Sequence, residues 1–229
     1  MSGIDKTVGI KLMKTSIRSI AFLVATVIAS TCGQALADNK TLNFTVMRDG
    51  ANIGTHNIAL SEHNGETLVD VTTDIRIKVL FVTAYKFIHT SKEVWMNGRL
   101  IALNSNTDDD GTSKSLNILA QAEQLTIDSA IKGQDRRQHA AAGMLPASLW
   151  NQNVVKQDAL LNTLDGTVMN IHVEDLGQDT IKAKGTDVTA HHYAISGELT
   201  RELWFNGAGQ LVRMRFPDKT GTEIIYALN

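Results

Sequence analysis

The sequence alternates apolar and polar residues over one long run, from Leu68 to Val79. Every second residue in this run is Val, Thr or Ile, and most of the residues between them are charged: LVDVTTDIRIKV. Side chains of a β-strand point alternately to the two faces of a sheet, so the run predicts a long strand with one face buried. A helix would need a period near 3.6 residues, which the run does not show.

The same period of two recurs along the chain and predicts further strands. They lie at Leu42–Val46, His56–Leu60, Tyr85–Met96, Ile171–Val173, Val188–Ile195, Glu202–Phe205, Leu211–Phe216 and Glu223–Leu228. No alternation of strands with helices, typical of parallel sheets, is visible.

Asn-Gly and Asp-Gly pairs recur between these strands and suit tight hairpins, because both residue types tolerate a positive φ. They are Asp49-Gly50, Asn64-Gly65, Asn97-Gly98, Asp110-Gly111, Asp165-Gly166 and Asn206-Gly207. We therefore expect a mainly β protein. Its strands would form an antiparallel meander that makes a curved sheet, an open half-barrel or a barrel.

One segment, Pro146 to Leu164, breaks the alternation. Its large apolar residues recur at mixed spacings of three and four: Leu149, Trp150, Val154, Val155, Leu160 and Leu161. Proline is tolerated in the first turn of a helix. We predict one or two short helices at 146–164, which form an insertion that covers the open face of the sheet. No linker or repeat divides residues 38–229, so we expect a single domain.

The N-terminal residues have the order of a secretory signal peptide. Basic residues come first, the apolar run Ile20 to Ala29 follows, and Ala35-Leu36-Ala37 is an A-x-A cleavage site. The apolar run is about half of the ~20 residues that a membrane-spanning helix needs. We predict cleavage after Ala37 and a periplasmic or secreted protein, with Met1 or Met13 as the true start. Lipidation at Cys32 is the alternative, although the residues before it fit a lipobox poorly.

Charge and composition exclude several partners and chemistries. A formal net charge of -2 and a pI near 6.4 argue against nucleic acid, which needs a strongly basic surface. Loss of residues 1–37 would leave a mature chain without cysteine and without a transmembrane segment, so thiol catalysis and disulfides are not expected. The sequence contains no P-loop, G-x-G-x-x-G or G-x-S-x-G motif. We expect no cofactor.

The predicted strand Tyr85–Met96 carries aromatic and polar side chains on one face: Tyr85, Phe87, His89, Ser91, Glu93 and Trp95. A few polar groups among aromatic ones are typical of ligand pockets, so Tyr85, Phe87, His89, Glu93 and Trp95 are candidate ligand-binding residues. His89 and Glu93 are four residues apart, or ~13 Å on a strand, and cannot bond to each other. The alternative is an inner sheet face whose polar groups are satisfied within the core.

An acidic stretch, NTDDDG at 106–111, resembles the start of a calcium loop. Asn106, Asp108 and Asp110 occupy positions 1, 3 and 5 of such a loop, and a glycine occupies position 6. Position 12 is Asn117 instead of a glutamate, so an acidic hairpin turn is the alternative. The histidines are scattered and form no metal-ligand motif.

The turn at Val79-Leu80-Phe81-Val82 is apolar where a polar turn is normal. It either packs under the helical segment or forms an exposed tip that contacts a partner or closes a site.

Several motifs together resemble an uncharacterised family of exported bacterial proteins that contain a domain of unknown function. They are AYKFIH (84–89), EVWMNGRL (93–100), TDDDG (107–111), SLWN (148–151) and LLNTLDG (160–166). This resemblance covers most of residues 38–229 and implies no catalytic residues. The expected architecture is also similar to the open half-barrels of periplasmic lipoprotein carriers, which is an analogy of fold alone.

Three functions are compatible with these features. The first is non-catalytic binding of an apolar or amphipathic small molecule or lipid in the concave face of the sheet. The second is a structural or partner-binding envelope protein with a filled interior. The third is a hydrolase whose catalytic groups the sequence does not reveal.

Overall fold

A computed structural model of the chain describes residues 38–229. The predicted signal peptide at 1–37, its cleavage site after Ala37 and the alternative lipidation site Cys32 lie outside the described residues.

Fourteen strands form one antiparallel sheet. In chain order they are β1 (Asp38–Arg48), β2 (Ala51–His63), β3 (Glu66–Val79), β4 (Val82–Met96), β5 (Arg99–Asp109), β6 (Thr112–Gln121), β7 (Gln124–Ile131), β8 (Gln134–Ala141), β9 (Ala159–Leu161), β10 (Val168–Ala183), β11 (Thr186–Gly197), β12 (Arg201–Asn206), β13 (Leu211–Pro217) and β14 (Glu223–Leu228). The predicted mainly β fold is confirmed. The sheet is curved and does not close into a barrel.

The order of strands shows how the chain fills the sheet. Neighbours run β8-β7-β6-β5-β4-β3-β2-β1-β14-β13-β12-β11-β10-β9. The meander β1–β8 makes one half, the last six strands make the other, and β1 pairs with β14 where the halves meet. The connection from β8 to β9 therefore joins the two opposite edges of the sheet, and its buried Leu145, Leu149 and Val154 belong to the core.

The helical insertion is smaller than predicted. Among the described residues the only helix is a 3-10 helix at Gln152–Lys156, and Asn151 caps it by accepting a hydrogen bond from the Asn153 N–H at 3.0 Å. Other parts of the segment are extended: Ala147 N–H donates to the Leu161 carbonyl at 2.8 Å, and Leu161 lies in β9. The mixed apolar spacing thus reflects an irregular segment that is buried over the sheet. Residues of this segment supply hydrogen-bond partners for its own backbone.

Two-residue turns join the hairpins of the meander. Asn97 and Gly98 between β4 and β5 have φ of 50° and 76°, as a type I′ turn requires. The pairs at 49–50, 64–65 and 110–111 connect strands in the same way. Leu80 and Phe81 take the same conformation, with φ of 49° and 71°, although neither residue type favours it.

Residues 99–141 contain four strands that the alternation did not predict. The clearest case is β8, whose sequence QDRRQHAA has no apolar alternation because most of its residues are exposed at the edge of the sheet. Charged residues on an edge strand also discourage pairing with another chain.

The turn between β9 and β10 packs against the inner face of the opposite half of the sheet. A Cβ added at Gly166 would lie 2.3 Å from Ile127 Cγ2 and 2.8 Å from Leu116 Cδ1. The Ser105 hydroxyl also donates to the Thr163 carbonyl at 2.6 Å. This turn therefore fills the concave side next to β5, β6 and β7.

Candidate functional site

Two adjacent cavities lie on the concave side of the sheet. The larger, which we call the mouth cavity, has a volume of about 870 Å³, and the smaller, the inner cavity, about 370 Å³. Both border the same five side chains: Phe87, Leu164, Arg201, Phe216 and Tyr226. Volumes of ~300–1,000 Å³ are typical of sites for small molecules.

The two cavities differ in the chemistry of their walls. Isoleucines from three strands, Ile53, Ile75, Ile77 and Ile224, line the mouth cavity, and charged residues stand at its rim. The inner cavity is bordered by polar side chains together with methionines: His56, Thr73, His89, Ser91, Met169 and Met214. The combined space is therefore amphipathic, with more apolar walls in the mouth cavity and more polar walls in the inner cavity.

The register of the sheet builds the polar wall of the inner cavity. His56 on β2 pairs with Thr73 on β3, Thr73 pairs with His89 on β4, and His89 pairs with Thr107 on β5. We call this row of four residues the His–Thr belt. In it, His56 Nδ1 lies 2.8 Å from Thr73 Oγ1, and His89 Nδ1 lies 2.8 Å from Thr107 Oγ1.

Both histidines of the belt are buried. Burial, and to a smaller extent proximity to His89, lowers the pKa of His56 from 6.5 to about 4. Burial also lowers the pKa of His89 to about 4. At neutral pH both imidazoles are uncharged, so the belt supplies hydrogen-bonding groups without charge.

The structure divides the predicted site strand β4 into two parts. Tyr85 and Phe87 line the mouth cavity, and Phe87 and His89 line the inner cavity. Glu93 and Trp95 lie deeper, are 1% and 2% exposed, and border neither cavity. The part of this face with Tyr85, Phe87 and His89 thus borders open space, and the part with Glu93 and Trp95 is packed core.

Glu93 is a buried carboxyl group held by indole donors. Its Oε2 accepts hydrogen bonds from Trp95 Nε1 at 2.8 Å and from Trp150 Nε1 at 2.9 Å, and the two indole rings meet edge to face at 5.5 Å. Burial raises the pKa of Glu93, and these hydrogen bonds oppose the rise. Trp150 belongs to the connection between the sheet edges, so Glu93 anchors that connection to β4.

Tyr85 is tied into the rim of the mouth cavity. Its hydroxyl donates to Asp109 Oδ1 at 2.9 Å, and Lys114 donates to Asp109 Oδ2 at 3.1 Å. Burial and the Asp109 carboxylate raise the pKa of the phenol. The neutral phenol and the paired carboxylate leave little net charge at this side of the rim.

Arg201 is a site residue that the sequence reasoning missed. It lies on β12 with Leu203 and Phe205 on the same inner face, and its Cζ stands 3.8 Å from the centre of the Phe216 ring. Burial lowers the pKa of its guanidinium. The sequence did contain a signal: in the alternating pattern R-x-L-x-F, the arginine occupies a position that would normally be apolar.

The acidic stretch at 106–111 forms a hairpin turn. Asp110 and Gly111 connect β5 to β6, Asp108 Oδ1 accepts from the Gly111 N–H at 2.8 Å, and Asp108 pairs with Lys86. Asn106 is an exposed residue of β5. Residues 38–229 contain no group of three or more His, Cys, Asp or Glu that could hold a metal ion.

The apolar turn after β3 is exposed. Leu80 and Phe81 are 87% and 101% exposed, and Val82 is 68% exposed. The interpretation that this turn packs under the helical segment is therefore wrong. The tip lies beside the mouth cavity, because Ile77 and Tyr85 are cross-strand neighbours close to the turn and both line that cavity.

The described residues show no hydrogen-bonded chain of serine, histidine and carboxylate. The histidines that bond carboxylates are His191 with Asp175 at 2.6 Å and His192 with Glu202 at 2.8 Å, and neither borders the two cavities. His89 instead bonds a threonine hydroxyl. This arrangement does not supply the base and orienting acid of a serine hydrolase.

Within residues 38–229, no helix is long and apolar enough to span a membrane. No curated protein matches the sequence. Residues 44–229 match a family described as a domain of unknown function, DUF6134. This match extends from β1 to the end of the chain and includes the residues of both cavities. The chain therefore belongs to the DUF6134 family.

Proposed function

We propose that this protein is exported to the cell envelope and binds, without catalysis, an apolar or amphipathic small molecule or lipid on the concave side of its sheet. The two adjacent cavities are the observation that supports this proposal. Clefts of ~300–1,000 Å³ whose walls combine apolar side chains with a few polar groups are typical of small-molecule sites.

The walls of the mouth cavity favour an aliphatic ligand. Four isoleucines and Phe87 offer an apolar surface to an alkyl chain. Burial of each methylene contributes about 0.8 kcal/mol, which corresponds to roughly a fourfold gain in affinity. In a series of straight-chain amphiphiles, affinity should rise with each added methylene and level off when the cavity is full. Displacement of a fluorescent fatty-acid analogue measures this series.

A variant that fills the cavity tests the location. Ile77 lines the mouth cavity, whereas the neighbouring Lys78 is exposed. Ile77→Trp should abolish displaceable binding, and the matched control Lys78→Trp should leave it unchanged. Equal binding by both variants would place the ligand elsewhere. Thermal melting of both proteins verifies that the substitutions leave the fold intact.

Native mass spectrometry tests occupancy directly. Protein purified from its own envelope should carry a bound small molecule that organic extraction removes. Recovery of no small molecule, with the isolated protein still folded, would favour a structural role with a partly empty interior.

Export is proposed from the order of basic, apolar and small residues before Asp38. N-terminal sequencing of protein from the envelope should begin at Asp38. A sequence that begins at Cys32 would show lipidation instead, and one that begins at Met1 or Met13 would contradict export through this signal.

A second candidate function, contact with a partner protein in the envelope, rests on the exposed tip. Three consecutive apolar residues, Leu80, Phe81 and Val82, are exposed at a turn that could easily be polar. A photo-crosslinker at Phe81 should give one adduct of defined mass in cells. The same probe at Asn64, which lies in a two-residue turn without apolar residues, is the control and should give no adduct.

A further inference from the structure

Arg201 is a cation that borders both cavities and packs against apolar side chains. Its strand partner on β11 is Ile195, its ring partner is Phe216 at 3.8 Å, and one of its nitrogens donates to the Thr200 carbonyl at 2.7 Å. The ion pairs of the described residues do not include Arg201, whereas Arg215 on the next strand pairs with both Glu202 and Glu223. A half-buried guanidinium without a carboxylate partner is costly and needs a reason.

Three of the four carboxylates that border the cavities are already engaged. Asp218 accepts from Arg48 Nε at 2.8 Å, and Asp109 accepts from Lys114 at 3.1 Å. Glu198 accepts from the Asn170 backbone and side chain at 2.7 and 3.0 Å. Asp110 lies in the exposed turn at the rim. Arg201 thus remains available to an anion that enters from outside.

The position of Arg201 relates it to both cavities. It borders the mouth cavity with its isoleucines and the inner cavity with its polar groups. An anionic group at the junction would therefore meet a cation, while an attached chain would lie against the isoleucines.

We propose that the ligand of this site is an aliphatic chain with one anionic headgroup, a carboxylate or a phosphate monoester, and that Arg201 binds that headgroup. This inference rests on the proposed binding function and adds the chemical class of the ligand. The headgroup lies at the junction of the cavities, and the chain occupies the mouth cavity. A charge-assisted bidentate pair with guanidinium suits either headgroup.

Matched amphiphiles test the headgroup. Hexadecanoic acid, hexadecyl phosphate and hexadecanol share one chain and differ only at the head, and calorimetry with delipidated protein gives their affinities. The wild type should bind one or both anions roughly tenfold to a hundredfold more tightly than the alcohol. A preference between the acid and the phosphate identifies the source of the anion. Equal affinity for all three would overturn the inference.

Variants assign the preference to Arg201. Arg201→Met should lower the affinity for the anions to that for the alcohol, and should leave the affinity for the alcohol unchanged within about threefold. Arg201→Lys should restore part of the lost anion affinity. Arg99→Met, which changes an exposed arginine at the start of β5, is the matched control. Unchanged anion affinity in Arg201→Met would also overturn the inference.

The failure of the two proposals can be distinguished. If the wild type binds none of the three amphiphiles, the proposed binding function fails; if it binds the alcohol as well as the anions, only the headgroup assignment fails.

A measurement on the ligand bound to the wild type does not depend on whether the variants fold. The carboxyl carbon of labelled hexadecanoic acid bound to wild type should keep its ionised chemical shift at a pH where the unbound acid is protonated, because a nearby cation favours the carboxylate. An unionised shift would contradict pairing with Arg201.

Discussion

Acid should destabilise this protein through the two histidines of the His–Thr belt. His56 and His89 have a pKa of about 4 in the folded chain, against 6.5 for an unperturbed imidazole. Between these values the unfolded chain binds more protons than the folded chain, so stability falls as pH falls. The contribution is fully present above pH 6.5 and is lost as the pH approaches 4.

The magnitude follows from the same values. One pKa unit corresponds to about 1.4 kcal/mol, so each histidine contributes about 3.4 kcal/mol and the pair about 7 kcal/mol. Within the window the free energy of unfolding should change by about 2.7 kcal/mol per pH unit. The total stability of a domain is about 5–15 kcal/mol, so protonation of both imidazoles removes a large part of it.

Urea denaturation between about pH 7 and about pH 4.5 measures this slope. The double variant His56→Gln/His89→Gln keeps a polar group towards each threonine and should flatten the profile. His172→Gln changes an exposed histidine and should retain the wild-type slope. Burial raises the pKa of Glu93, which contributes with the opposite sign, so a Glu93→Gln background should steepen the curve. A wild-type stability that is constant across this range would refute the reasoning.

Other substitutions test packing and turns. Glu93→Ala leaves two indole N–H groups without an acceptor and should cost about 3–5 kcal/mol by urea denaturation, whereas Glu93→Gln retains an acceptor and should stay within about 1 kcal/mol. Gly54→Ala should cost about 2–3 kcal/mol, because its Cβ would lie 2.0 Å from the Asp74 carbonyl oxygen. Replacing Leu80 and Phe81 by Asn-Gly should raise the melting temperature. A positive φ costs these two bulky residues about 1–2 kcal/mol, and Asn and Gly adopt it more readily. An unchanged melting temperature would mean that the turn is not strained.

The local pattern of the sequence predicted nine of the fourteen strands, but neither β5–β9 nor the segment that covers the sheet. The face of β4 follows the predicted alternation, since His89, Ser91, Glu93 and Trp95 are all buried. The connection at 146–164 was predicted as helical because its apolar spacing is compatible with a helix. Its conformation depends instead on bonds such as Ala147 N–H to the Leu161 carbonyl, which require the rest of the fold.

The site was predictable in part for the same reason. Tyr85, Phe87 and His89 share a face by sequence alone, but the His–Thr belt needs the register of four strands. Trp150 covers Glu93 from across the sheet, and no pattern within β4 predicts where the packed half ends. Arg201 shows the opposite case, because its place on an apolar strand face was visible in the sequence.

The pairing of β1 with β14 has a consequence for folding kinetics. The pairs of the meander are adjacent in sequence and can form as successive hairpins, but Thr45 and Asn229, which bond across this seam, are 184 residues apart. Contacts of such separation form late, because loop closure costs entropy that grows with length. Until the last strand arrives, β1 is a bare edge with Leu42, Phe44 and Val46 uncovered. An incomplete chain should therefore aggregate through β1. A factor that keeps this chain unfolded is expected to bind that strand.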